Sequence, residues 1–266
     1  MGNAITRKYD IDETHCANAG LSGCWKIYKG KTKDEIPKEI SVWICSKDEV
    51  GKRTPAPDRS TLDQLFQVMR KDVMTMKDMP ANNHVVKPLE VFQDSQSILC
   101  FVTERVVCSL ADVMGGFSNV PGGLHPSTAV YFDTDNPSNS ACLSESEVAR
   151  GVFNIAEAIQ YLVHIRRTIH LSISPENIII TPGGNWQLCG LGHSVSFSGE
   201  DFAVKSYPYF KAPHKDCHTL RVEPNLCYCA PECTAGGYDG AAIRNVTIAA
   251  DIFSLGVIAY EAFKYF

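Results

Sequence analysis

Two stretches of this chain carry side chains that could do chemistry. The octet His170-Leu171-Ser172-Ile173-Ser174-Pro175-Glu176-Asn177 sets an imidazole, two hydroxyls and a carboxamide close together. A hydroxyl is not a base near neutral pH, so Ser172 cannot take a proton from a nucleophile. Ser174 cannot place a positive charge on a transferring group. The amide oxygen of Asn177 could hold a metal ion only weakly by itself, since Mg²⁺ is usually held through carboxylates, phosphates and waters; bracing the loop by hydrogen bonds is the preferred role. Gly190, further on, offers no side chain at all. The second stretch holds His214, Cys217, His218, Cys227, Cys229 and Cys233. These could ligate zinc, but paired Cys-x-x-Cys spacing is missing, and ordinary reduced thiols are the preferred reading.

The elements that must position these groups follow from pattern. Residues 40–45 and 98–102 are short β-branched and aromatic runs that predict strands. Between them Leu62, Leu65, Phe66, Met69, Val73 and Met76 recur at helical spacing over about residues 61–77. Gly, Pro, Ser and Asn dominate residues 115–141, which predicts an exposed insertion loop. Ser144 and Glu147 then have capping-box spacing, with Leu143 and Val148 placed as a hydrophobic staple. Val148, Val152, Ile155, Ile159 and Leu162 trace the apolar stripe of the helix that follows. Ile178-Ile179-Ile180, a Pro-Gly-Gly turn and Trp186-Gln187-Leu188-Cys189 predict a hairpin. The segment from Asp251 is almost wholly apolar and predicts a buried helix.

Four stretches resemble protein kinases, in the right order. The octet resembles the catalytic loop, Gly190-Leu191-Gly192 the metal-binding Asp-Phe-Gly, Ala230-Pro231-Glu232 the end of the activation segment, and residues 251–256 the start of the central C-lobe helix. The resemblance implies an α+β bilobal fold: a β-rich N-lobe over residues 1–106, and a mainly helical, partial C-lobe over residues 107–266 that stops at the central helix. It also implies that the phosphotransfer residues are replaced. The catalytic Asp is Ser172, the Lys two places on is Ser174, the metal-binding Asp is Gly190, and the phosphate-gripping Lys of the third strand is Trp43. The glycine-rich loop reads Ala17-Asn18-Ala19-Gly20-Leu21-Ser22, with its expected glycines changed unless Gly20 and Gly23 serve in a shifted register. Arg70 falls near the place of the Lys-pairing Glu. By the same resemblance Asn177 is the residual nucleotide-site residue, while His170, Glu232 and Asp251 are structural: His170 packs within the C-lobe, Glu232 pairs with an Arg of a later helix, and Asp251 caps amides of the catalytic loop.

Residues 2–10, Trp25-Lys26-Ile27-Tyr28, residues 175–180 and residues 184–187 resemble more narrowly the Scy-like pseudokinases, nearest their clathrin-coated-vesicle-associated branch. That family implies a kinase-like domain followed by helical repeats, acting as an adaptor between Golgi, endosomes and plasma membrane. The expected function is thus an inactive scaffold that works through proteins of the vesicle coat and trafficking machinery, with no cofactor. A weak atypical Ser/Thr kinase and a non-hydrolysing ATP-binding switch are the alternatives. The chain stops within the C-lobe, as a fragment or partial domain would.

Bulk properties narrow the rest. The formal net charge of -5 gives no basic field for nucleic acid. No apolar run nears the ~20 residues of a membrane span, and the N-terminus lacks a secretory h-region. Eleven cysteines in such a chain suggest reduced thiols in the cytoplasm. Gly2 with Thr6 fits the N-myristoylation pattern, which a single acyl chain would turn into only marginal, peripheral membrane binding; the alternative is a lead-in strand with no free glycine.

Overall fold

The computed structural model describes residues 3–53, 56–94, 96–115, 143–198, 203–204, 220–234 and 246–264. Its first part is α1 (Asn3–Lys8), β1 (Tyr9–Ala19), β2 (Trp25–Thr32), β3 (Glu39–Ser46), a single turn α2 (Lys47–Gly51), the long α3 (Arg59–Asp78), β4 (Glu90–Asp94) and β5 (Ile98–Glu104). The strands form one antiparallel sheet in the order β1-β2-β3-β5-β4. Residues 3–8 are helical, so the reading of that segment as a lead-in strand is corrected. Gly2 lies outside the described residues.

Alternation along β3 explains why it is the central strand. Ile40, Val42 and Ile44 face a small outer cluster with Ile5, Cys100 and Val102, while Trp43 and Cys45 face α3 and the main core. Both faces are covered, so the run of apolar residues has no polar side. α3 starts where the Asp58 carboxylate accepts the Thr61 amide at 2.9 Å, and it buries Leu65, Phe66, Met69, Val73 and Met76 against the sheet.

The second part opens with β6 (Cys108–Ser109) and the one-turn α4 (Leu110–Val113), followed by α5 (Glu145–His164), β7 (Thr168–Ile169), β8 (Ile178–Ile180) and β9 (Trp186–Leu188). Next come β10 (Val195–Ser196), β11 (Ala203–Val204), α6 (Pro231–Thr234), β12 (Val246–Thr247) and α7 (Ala249–Ala262). α5 begins with the expected box: Glu147 N donates to Ser144 Oγ at 3.3 Å, and Ser144 N donates to Glu147 Oε2 at 2.7 Å. Val148, Ile155, Ile159 and Leu162 are buried, with Val152 at the stripe's edge. The β8–β9 hairpin pairs Ile178 with Leu188 and Ile180 with Trp186.

α7 is not the fully buried helix its composition predicts. Asp251, Ser254, Leu255 and Ile258 are buried, but Ile252 is 53% and Tyr260 65% exposed. Composition reports how apolar a helix is, whereas burial needs neighbours on every side; α7 packs one side against α5 and the 226–228 turn. Most of the expected 115–141 loop lies outside the described residues.

One apolar core runs through both parts. Trp25, Trp43 and Phe101 of the sheet and Met69 of α3 join Leu110, Ile155, Leu188 and Leu191 of the second part in a single cluster. The junction between the parts is therefore packed with side chains.

Candidate functional site

The site lies where the sheet and α3 meet residues 170–177 and 189–194. Its floor is the 170–177 loop, which Asp251 holds from below. One carboxylate oxygen accepts the His170 amide at 2.8 Å and the other accepts the Leu171 amide at 2.8 Å. Leu171 sits at φ 61°, a conformation an L-residue adopts only under constraint, and the Asp251 bonds supply that constraint. Burial raises the Asp251 carboxyl to about 6. His170 is wholly buried: its Nδ1 accepts the Ser172 amide at 3.2 Å, which leaves Nε2–H to donate to the Cys189 carbonyl at 2.9 Å. Burial lowers its pKa to about 4. A neutral imidazole with both nitrogens engaged is a brace.

Above the floor, Ser172, Ser174 and Asn177 are all buried. Asn177 Nδ2 donates to the Ser172 carbonyl at 2.8 Å and to Ser172 Oγ at 3.2 Å. Asn177 Oδ1 and Ser174 Oγ find no partner among the described residues. Gly190, at φ 82°, lies directly against Asn177: a Cβ there would come within 2.3 Å of Oδ1.

The roof is closed by aromatics. Trp43 is 1% exposed, stacks on Phe101 with ring centroids 5.1 Å apart, and meets Trp25 edge-on at 6.3 Å. Its indole N–H donates to Thr103 Oγ1 at 3.0 Å, so the ring's one polar atom is satisfied inside the core.

Two features of the site escape the sequence reading. The first is Asp72. Arg70 is only half-buried, whereas Asp72, two residues on, is the α3 carboxylate turned into the site. Asp72 Oδ1 accepts the Leu191 amide at 2.7 Å, and the nearby Gly190 amide and Trp25 indole also favour its anion. Burial pushes it up to about 7, against the lowering effect of those donors. The available signal was an Asp between Met69, Val73 and Met76 on the apolar face of a helix.

The second is the β1–β2 turn. The strands pair Ala19 with Trp25, so the turn is Gly20 to Cys24, with Gly20, Ser22 and Gly23 all at positive φ. Gly20 and Gly23 take up left-handed backbone angles that the turn needs. The turn folds down onto the floor, where the Gly20 amide donates to the Glu176 carbonyl at 2.7 Å. Arg53 donates to the Ser22 carbonyl at 2.7 Å and to the Gly23 carbonyl at 3.3 Å. Behind it the Asn18 amide donates to the Asp112 carboxylate at 3.0 Å, which ties β1 to α4. Ala17 and Ala19 are completely buried.

A model of the protein kinase domain matches residues 48–265. The chain belongs to that family. Its bilobal kinase fold has the five-stranded sheet with α3 as the N-lobe and the remainder as a mainly helical C-lobe. Among its relatives are the mouse and human proteins named SCY1-like protein 2, each 29% identical over 99% of this chain and 26% of their own length. The budding-yeast protein kinase-like protein SCY1 is 22% identical over 96% of this chain and 30% of its own length. The chain thus spans about a quarter to a third of the length of these relatives.

The 170–177 loop, Gly190-Leu191-Gly192 and Trp43 are the stretches whose sequence resembles the kinase catalytic loop, metal-binding turn and phosphate-gripping Lys position. Two of the expected structural residues lie in the C-lobe: Asp251 beneath the catalytic loop, and Glu232 in α6, half-exposed. The residues present do not fit a magnesium-bound nucleoside triphosphate. Trp43 is a buried, uncharged indole, Gly190 has no side chain and Asn177 fills the space one would take, and the Gly20 amide is already bonded to the Glu176 carbonyl. Of the residues that could ligate zinc, His214, Cys217 and His218 lie outside the described residues, and among the described residues no three His, Cys, Asp or Glu side chains come together as a metal site. The nine described cysteines are free thiols. No described helix is long and apolar enough to cross a membrane.

Proposed function

We propose that this kinase-family domain is a catalytically inactive scaffold, a pseudokinase, whose work is protein contact. The supporting observation is the packed interior of its cleft: Trp43, Asp72, Ser172, Asn177 and Leu191, which would line an open nucleotide site, are all 5% exposed or less. Phosphoryl transfer depends on positioning and charge stabilisation by a base, a metal-held triphosphate and a cationic clamp. Ser172, Gly190 and Trp43 supply none of these. Loss of a general base by itself costs about 10²–10⁴ in rate.

The resemblance to Scy-like proteins adds the setting. On this reading the domain acts as an adaptor in clathrin and Golgi–endosome vesicle traffic, in the cytoplasm and peripherally on vesicle membranes, binding coat and trafficking proteins and neither nucleic acid nor a cofactor.

Two measurements test it. Incubation with labelled ATP, Mg²⁺ and generic substrates should transfer no more phosphate than a heat-inactivated control, and ATP with Mg²⁺ should leave the melting temperature unchanged. Transfer that disappears in Asn177→Ala would establish the weak kinase instead, and a metal-dependent rise in melting temperature without transfer the nucleotide switch. For the adaptor role, the protein should co-sediment with clathrin-coated vesicles and be released when coat proteins are stripped.

A further inference from the structure

The segment at residues 220–222 reaches both the β1–β2 turn and the 170–177 loop. The Arg221 amide donates to Ser22 Oγ at 3.1 Å, and the Arg221 guanidinium reaches Glu176 Oε2 at 2.9 Å. Glu176 is only 4% exposed, so its charge depends on that guanidinium. The next residue fixes the segment from behind: the Val222 carbonyl accepts from His193 Nε2 at 2.7 Å, just after the metal-binding turn. Arg221 therefore bonds at once to the N-lobe turn and to the catalytic loop. Ser22, the turn residue it holds, is not a glycine yet sits at φ 54°, a geometry that persists only where surroundings enforce it.

We propose that Arg221 is a latch: its paired contacts with Ser22 and Glu176 hold the Gly20–Cys24 turn down on the catalytic loop, and displacement of the 220–222 segment opens the cleft. This rests on the reading of the cleft as closed and adds what closes it. A partner that engages residues 220–222 would thereby change the surface that the N-lobe presents, without any chemistry in the cleft.

The test is hydrogen exchange on the 266-residue chain, comparing wild type with Arg221→Ala and Ser22→Ala. The first variant removes the bond to Glu176 and the second the bond to Ser22 Oγ. Each should speed exchange of the Gly20–Trp25 amides about fivefold or more, the equivalent of one hydrogen bond, with α5 amides unchanged. Unchanged exchange at the turn in Ser22→Ala would overturn the latch, as would Arg221→Ala speeding α5 as much as the turn. A parallel thermal shift with ATP and Mg²⁺ separates the two readings. A shift in wild type would count against the inactive cleft, while the exchange result alone decides the latch.

Discussion

The carboxamide of Asn177 occupies the space where a side chain at Gly190 would begin: an added Cβ would lie 2.2 Å from Asn177 Cγ. A side chain at 190 and the present packing of Asn177 exclude each other. Restoring one residue should therefore not restore a site.

Gly190→Asp tests this directly. It should lower stability by about 2–4 kcal/mol, from the contact with Asn177 and from the left-handed backbone at φ 82°. Denaturant titration in the Asn177→Ala background should recover part of that loss, leaving the backbone strain. Equal stability of Gly190→Asp and wild type, or a gain of Mg²⁺ binding by the single variant, would contradict the geometry.

Trp43 should behave as a core residue. Trp43→Ala should cost about 3–5 kcal/mol, from lost contact with Phe101 and Trp25 and the lost hydrogen bond to Thr103 Oγ1, which keeps its own bond to the Glu104 carbonyl. Trp43→Lys should cost at least as much, since it buries an ammonium among aromatic rings, and should bring no ATP-dependent thermal shift. Urea unfolding and thermal shift together check both statements.

Asp72 carries the pH dependence with the clearest sign. Its folded pKa, about 7, lies above the ordinary 3.8, so the folded state holds a proton that the unfolded state releases. Its contribution to stability is complete below about pH 4 and falls as pH rises through about 7. His170 and His193, both lowered to about 4 by burial, have the opposite sign between about pH 4 and 6.5 and together outweigh Asp72 there, so its contribution is read from the difference between Asp72→Asn and wild type. Asp72→Asn keeps an acceptor for the Leu191 amide without the charge. It should match wild type only below about pH 4 and melt higher by a growing margin up to about pH 7, the full margin being present at pH 8; a lower melting temperature at pH 8 would show that Asp72 is stabilised as the anion.

Gly151 sets a local rule against a tertiary contact. In α5, replacing an interior glycine by alanine gains about 1 kcal/mol in helix propensity. Yet a Cβ at 151 would lie 2.1 Å from the Trp186 ring, so Gly151→Ala should instead destabilise by about 1–3 kcal/mol. Chemical denaturation of the variant settles the sign.

Much of the fold was legible along the chain because the signals are local. The Ser144–Glu147 box, the α3 periodicity and the β8–β9 turn each need only a few neighbouring residues, and each formed as its pattern implies. The residue types at Trp43, Ser172, Ser174 and Gly190, on which the inactive reading is proposed, are likewise local facts of the sequence.

What only the tertiary structure decided was where long-range partners meet. Asp72 bonds to an amide 119 residues away, Arg221 to a carboxylate 45 residues away, and the outer side of α7 is apolar yet uncovered. No pattern in sequence encodes those distances. Residue type sets which groups could bond, but burial sets which must, because a polar group taken from water has to find its partner wherever the folded chain brings one.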